Sequence, residues 1–262
     1  MRVPVYVNSG GCGSGEIGIM EKKWHFRRMS ALFFAILLTD GALLGSVFAV
    51  AQSEYAWRQV TVFADQQGEA GAGKKDLPSR QIALTFDDGP HKTCTAALLD
   101  GLKERGVKAT FFLMGENISG KEDLVKRMQQ EGHLIGNHSY RHVQMTKEGE
   151  DEACKAVEQT ETLIESITGA RPEYLRPPYG AWNERLECRV NLTTVLWTVD
   201  SLDWKLQNTE KIVRRVEKDV QSGDIILMHD IFHTSVEAAL RIVDDLKQQG
   251  YEFVTVEELL VD

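Results

Sequence analysis

The 262-residue chain carries its chemically able side chains in short clusters: Asp87-Asp88, His138 with His142, Arg176 with Tyr179, Asp200 with Asp203, and His229-Asp230. His138 and His142 are four residues apart, so in a helical turn both imidazoles lie on one face. Two imidazoles and one carboxylate leave coordination positions open, the donor set of a catalytic rather than a structural metal ion. Asp87-Asp88 offers two adjacent carboxylates, one able to bind such an ion while its neighbour takes a proton. Alone, Asp87-Asp88-Gly89-Pro90 is also ordinary turn chemistry, and a histidine pair is also ordinary surface. The combination is the stronger signal, because adjacent residues leaving a strand end can point into different parts of one site.

Short apolar runs rich in β-branched and aromatic residues predict the strands that must hold these groups: Gln81–Phe86, Ala109–Leu113, His133–Asn137, Tyr174–Arg176, Thr194–Val199, Asp224–Met228 and Glu252–Val256. Helical patterns lie between most of them, at Thr93–Arg105, Lys121–Glu131, Lys147–Thr168, Thr209–Gln221 and Ser235–Gln249. Gly106, Gly132, Gly169 and Gly250 read as C-terminal stops for four of these helices. Alternating strands and helices predict an α/β fold with a parallel sheet covered by helices, either open or closed into a barrel. On that plan every cluster falls at a strand C-terminal end, the face that forms the active-site mouth of a parallel barrel.

Five ordered segments carry a resemblance. Thr85-Phe86-Asp87-Asp88-Gly89-Pro90, His138-Ser139-Tyr140-Arg141-His142, Arg176-Pro177-Pro178-Tyr179-Gly180, Asp200-Ser201-Leu202-Asp203-Trp204 and Leu227-Met228-His229-Asp230 resemble the motifs of the polysaccharide deacetylase family, the NodB-homology domain of carbohydrate esterase family 4. The match runs from about Arg80 to Leu260. It implies a distorted (β/α) barrel with about seven parallel strands, in agreement with the seven runs above. It also implies a metal-dependent hydrolase that removes acetyl groups from N-acetylglucosamine-type residues of a glycan, with peptidoglycan the first choice of substrate and chito-oligosaccharide the second. An O-acetyl esterase acting on xylan is the alternative within the family. A glycan-binding protein that has lost catalysis is the alternative outside it, against which stands the presence of every ligand, base and acid.

Carried over by position, the resemblance makes Asp87 the general base and Asp88, His138 and His142 the metal ligands. The implied ion is zinc, with cobalt or manganese as alternatives, because a mixed Asp/His site discriminates weakly. Arg176 resembles the arginine that holds the base in place. The backbone N–H of Tyr179 resembles the oxyanion donor that shares developing charge with the metal. His229 resembles the general acid that protonates the departing amine, and Asp203 the carboxylate that tunes it by raising its pKa. Trp204 and Leu227 resemble the lining of the acetyl-methyl pocket, with Tyr179 also on the substrate. Asp200 and His133 read as structural, and His91 as a solvent-exposed rim residue. The segment 181–193 looks short for the helix expected there.

The front of the chain reads as an address. Lys22-Lys23-Trp24-His25-Phe26-Arg27-Arg28 is basic and Ala31–Ala51 almost wholly apolar, which predicts a secretory signal peptide cleaved after Ala49-Val50-Ala51. The alternative is an uncleaved membrane anchor; against it, Asp40 near the middle would cost roughly 2.5–3.5 kcal/mol in a membrane span. Met20-Glu21-Lys22-Lys23 looks more like a signal-peptide start than the glycine-rich stretch after Met1. The expected division is 1–51 as extension plus signal peptide or anchor, 52–79 as a linker with a short strand at Gln59–Phe63, and 80–262 as the exported catalytic domain, secreted or wall-associated. Residues 52–262 hold 25 basic and 36 acidic side chains, a formal net charge of −11, which excludes the basic footprint of a nucleic-acid binder. Processing would remove Cys12 and leave Cys94, Cys154 and Cys188, an odd number for which a Cys154–Cys188 bridge and a free thiol both stay open.

Overall fold

The computed structural model describes residues 80–182, 186 and 190–261. Among them are eight strands: β1 (Arg80–Asp87), β2 (Thr110–Leu113), β3 (Leu134–Asn137), β4 (Tyr174–Leu175), β5 (Thr193–Thr194), β6 (Val199–Asp200), β7 (Ile225–His229) and β8 (Tyr251–Val254). Every pairing is parallel, in the order β5-β4-β3-β2-β1-β7-β6, with β8 on the first half of β1. β5 and β6 stand at opposite ends of that order, yet both belong to one chain segment, Thr193–Asp200. The sheet therefore curls until its two edges meet in that segment, as a distorted barrel requires. The run expected as a single strand over Thr194–Val199 is thus two short strands serving two different edges.

Helices cover the outside: α1 (Cys94–Arg105), α2 (Gly115–Ile118), α3 (Glu122–Gln130), α4 (Glu150–Thr168), α5 (Asp203–Leu206), α6 (Thr209–Asp219), α7 (His233–Gln248) and α8 (Val256–Val261). The five longest fall where the periodicity predicts them. α2, α5 and α8 are too short for a 3.6-residue pattern to register. α1 stops at Gly106, whose φ of 63° is left-handed backbone that a residue without Cβ adopts cheaply.

The sheet has two buried faces, and strand alternation sorts side chains between them. Ile82, Leu84 and Phe86 of β1, Phe111 and Leu113 of β2, and Ile226 and Met228 of β7 join Leu98, Leu102, Ile242 and Leu246 in the core under the helices. The intervening residues Ala83, Phe112 and Ile225 pack with Val195, Tyr174 and Val256 inside the curl. Thr85, Asp87, Leu227 and His229 continue that inward series. Burial of both faces explains why β1 reads as a continuous apolar run ending in a carboxylate.

Cys94 and Cys154 are buried. Cys188 lies outside the described residues, as do the signal segment, the linker, the strand expected at Gln59–Phe63 and much of 181–193. No helix among the described residues is long and apolar enough to cross a membrane.

Candidate active site

The parallel register places Asp87, the last residue of β1, directly opposite His229, the last residue of β7. Asp88 leaves β1, His138 leaves β3 and Arg176 leaves β4, so these groups all meet at one end of the barrel. The backbone there is strained. Asp88, Ser139, His142, Tyr179 and Leu202 have φ between 52° and 69°, five of the six non-glycine residues with positive φ among the described residues. Each such residue costs on the order of 1–3 kcal/mol and persists only where surrounding structure enforces it.

Asp88 Oδ1 lies 3.5 Å from both His138 Nε2 and His142 Nε2. The ligand atoms of these three residues fall within 4.8 Å of one another, and Asp88 Oδ1 is buried with no hydrogen-bond partner among the described residues. An orphaned carboxylate oxygen between two imidazoles fits a divalent cation. His138 Nδ1 meets the carbonyl oxygen of Arg176 at 2.6 Å, which turns Nε2 toward Asp88. Burial pushes the His138 imidazole down despite the nearby charges of Asp87 and Asp88, toward the neutral form a metal ligand needs. The helical turn expected for residues 138–142 is not what aligns the histidines. A turn with left-handed Ser139 and His142 does so, and Asn137 Oδ1 fixes it by accepting from Ser139 N–H at 2.7 Å.

Arg176 is fully buried. Its Nη1 donates to Asp87 Oδ1 at 2.9 Å and to Thr85 Oγ1 at 2.6 Å, while Nε and Nη2 reach the carbonyls of Val195 and Leu196 at 3.2 and 3.1 Å. Those two carbonyls lie between β5 and β6, so the gap between the strands is where the segment's acceptors serve a guanidinium. Asp87 Oδ2 is 3.8 Å from His138 Nε2.

Asp203 is buried beside His229. Its Oδ1 accepts from Trp204 N–H at 2.9 Å and meets His229 Nδ1 at 2.7 Å, and its Oδ2 accepts from His229 N–H at 2.7 Å. Burial alone would lower the His229 pKa, but the hydrogen bond and charge of Asp203, with Asp87 and Asp88 beyond, lift it to about 9. His229 Nε2 faces Asp88 Oδ2 at 3.9 Å. Leu227 is buried on the same strand, whereas Tyr179 and Trp204 are 66% and 50% exposed. The Tyr179 ring stands edge-on to His142 at 4.5 Å between centroids.

The remaining sequence candidates fall to structural positions. Asp200 Oδ1 accepts from Leu202 N–H at 2.9 Å and shapes the entry to α5. His133 Nδ1 accepts from Ala109 N–H, and burial drives its pKa down to about 4. His91 is half-buried rather than free at the rim, its Nδ1 accepting from Cys94 N–H at the start of α1. Sequence reasoning gave no role to Thr85 or Asn137. Thr85 lies two residues before Asp87 on the same strand face, a signal that was there to use.

The chain matches the family model described as polysaccharide deacetylase over residues 74–195. A peptidoglycan-N-acetylglucosamine deacetylase of Bacillus cereus is 40% identical over 263 residues, spanning 91% of this chain and 95% of that protein. The chain belongs to the polysaccharide deacetylase family. The peptidoglycan-N-acetylglucosamine deacetylase PgdA of Listeria monocytogenes is 41% identical over 71% of this chain, and the chain spans 40% of the length of that relative. The solved structure of the peptidoglycan deacetylase PdaC from Bacillus subtilis superposes with a TM-score of 0.68 at 42% identity, covering 70% of this chain and 90% of that one. The fold is thus one shared with solved peptidoglycan deacetylases.

Proposed function

We propose that the protein is an exported, metal-dependent N-deacetylase acting on N-acetylglucosamine-type residues of peptidoglycan. One observation carries the chemistry: a proton acceptor and a proton donor each stand against the same three-residue ligand set, Asp87 3.8 Å from His138 and His229 3.9 Å from Asp88. The relatives named for peptidoglycan at about 40% identity support the substrate. The basic and apolar stretch over residues 22–51 supports export.

Asp88, His138 and His142 would hold the cation, which supplies Lewis acidity toward a water and the acetamide carbonyl. Asp87 takes the proton of the attacking water, and Arg176 holds its carboxylate in one orientation for that purpose. The backbone N–H of Tyr179 donates to the oxygen on which negative charge develops. His229, kept protonated by Asp203, delivers a proton to the leaving nitrogen as the C–N bond breaks; a poor leaving group requires that the proton arrive then. Trp204 and Leu227 flank the space for the acetyl methyl.

Acetate release from peptidoglycan, chitin oligomers and acetylxylan, with and without chelator, tests the proposal. The expected result is release from peptidoglycan that chelation abolishes and zinc restores. Release from acetylxylan alone, or activity untouched by complete metal removal, would overturn it.

A further inference from the structure

Asp230 follows His229 and has no part in the chemistry above, yet its carboxylate is fully buried. Burying a carboxylate is costly unless it is well partnered. Here Oδ2 accepts from the Thr95 hydroxyl, and Oδ1 has no partner among the described residues. A group kept at that cost and so sparsely bonded does not contribute chiefly through its hydrogen bonds. Its place in the fold gives it another use. The carboxylate fills the space a side chain on Gly89 would need, since a Cβ there would come within 2.5 Å of Oδ2 and 2.8 Å of Cγ.

Gly89 is the residue after Asp88. The turn that carries Asp88 is also gripped elsewhere: Asn117 Nδ2 donates to the Asp88 carbonyl at 2.8 Å, and Met114 N–H donates to the Gly89 carbonyl at 3.0 Å. Thr95 ties the two ends of the arrangement together, because its Oγ1 accepts from His91 N–H at 2.7 Å while its proton goes to Asp230. Asn117 and Met114 hold the turn through contacts with its carbonyls. Asp230, the residue after β7, adds a contact with the turn at Gly89, whose missing Cβ makes room for it. Asp88 needs such enforcement, since its φ of 69° is left-handed backbone.

We propose that Asp230 is a positioning residue for the metal site: anchored by Thr95 and seated on Gly89, it fixes the turn that aims Asp88 at His138 and His142. The inference rests on the ligand assignment above and concerns the shape of Asp230 more than its charge.

Zinc affinity of the full chain, measured by equilibrium dialysis alongside circular dichroism, reads this without turnover. Asp230→Ala should bind zinc about 10–100-fold more weakly with its secondary structure intact, the range seen when support of a metal ligand is removed. Asp230→Asn keeps the shape and the acceptor for Thr95 and should stay within about threefold of wild type. Gly89→Ala should weaken binding as Asp230→Ala does, and the Gly89→Ala/Asp230→Ala pair should recover part of the loss, because the new Cβ fills the vacated space. If Asp230→Ala does not fold, Thr95→Val, which removes the anchor at constant volume, should weaken zinc binding in the same direction and Thr95→Ser should not. Unchanged affinity in folded Asp230→Ala, or in Thr95→Val, would overturn the inference, as would an Asn variant as impaired as the Ala variant or strictly additive losses in the pair. Loss of zinc binding on Asp88→Ala is the separate check on the ligand assignment itself.

Discussion

Arg176 Nη1 donates to Asp87 Oδ1 across 2.9 Å, and neither side chain has appreciable contact with solvent. Breaking a buried pair by removing one member leaves the other charge uncompensated, at a cost of about 3–5 kcal/mol. Arg176→Met should lose about that much in urea denaturation and nearly all activity. Asp87→Asn keeps the shape and an oxygen for the guanidinium but cannot take a proton, so activity should fall by about 10²–10⁴-fold. Full activity in Asp87→Asn would sink the assignment of the base.

The His229–Asp203 pair sets a pH dependence with a definite sign. His229 is raised from an ordinary 6.5 to about 9, so its contribution to stability is complete below pH 6.5 and is lost as pH rises through about 9. The same proton is the one delivered to the leaving nitrogen. The basic limb of kcat/KM against pH should therefore lie above the ordinary histidine value of 6.5 in the wild type and move down in Asp203→Asn. A limb that does not move would separate Asp203 from His229 function.

Much of this site was legible because its residues sit at strand ends, and strand ends follow from apolar runs. Asp87, Arg176 and His229 were placed by the boundaries of β1, β4 and β7 alone. Two features were not legible, each for a local reason. The break between β5 and β6 belongs to carbonyls of Val195 and Leu196 that bond Arg176 from a different strand, and no pattern within 193–200 encodes a distant guanidinium. The turn at His138–His142 depends on left-handed Ser139 and His142, whereas the spacing reads as that of a helical turn. The four-residue interval was informative, and the conformation behind it was not.

The two histidine ligands should separate when stability and zinc binding are measured together. His138 has a side chain 3% exposed and bonded to the Arg176 carbonyl, whereas the His142 side chain is 27% exposed. Both His138→Ala and His142→Ala should lose zinc affinity in dialysis. Only His138→Ala should also destabilise the metal-free protein substantially, by about 1–3 kcal/mol for the buried carbonyl it leaves unbonded. Equal destabilisation by the two variants would contradict the picture of one buried and one rim ligand.

Tyr179 joins backbone strain to substrate contact in one residue. Its φ of 61° is expensive for a side chain bearing Cβ, by roughly 1–2 kcal/mol, and its ring is 66% exposed, so burial does little to offset that cost. Tyr179→Ala and Tyr179→Gly remove the same ring from its edge contact with His142, but only glycine also relieves the backbone. Tyr179→Gly should therefore unfold at higher urea than Tyr179→Ala, by about 1 kcal/mol. Both should raise KM for a glycan substrate, while Tyr179→Phe, which keeps the ring and the backbone N–H, should stay close to wild type. If Gly and Ala variants were equally stable, the left-handed conformation would not be costing the fold anything. If neither changed KM, the exposed ring would have no part in holding the sugar, and the contribution of Tyr179 would reduce to its backbone N–H.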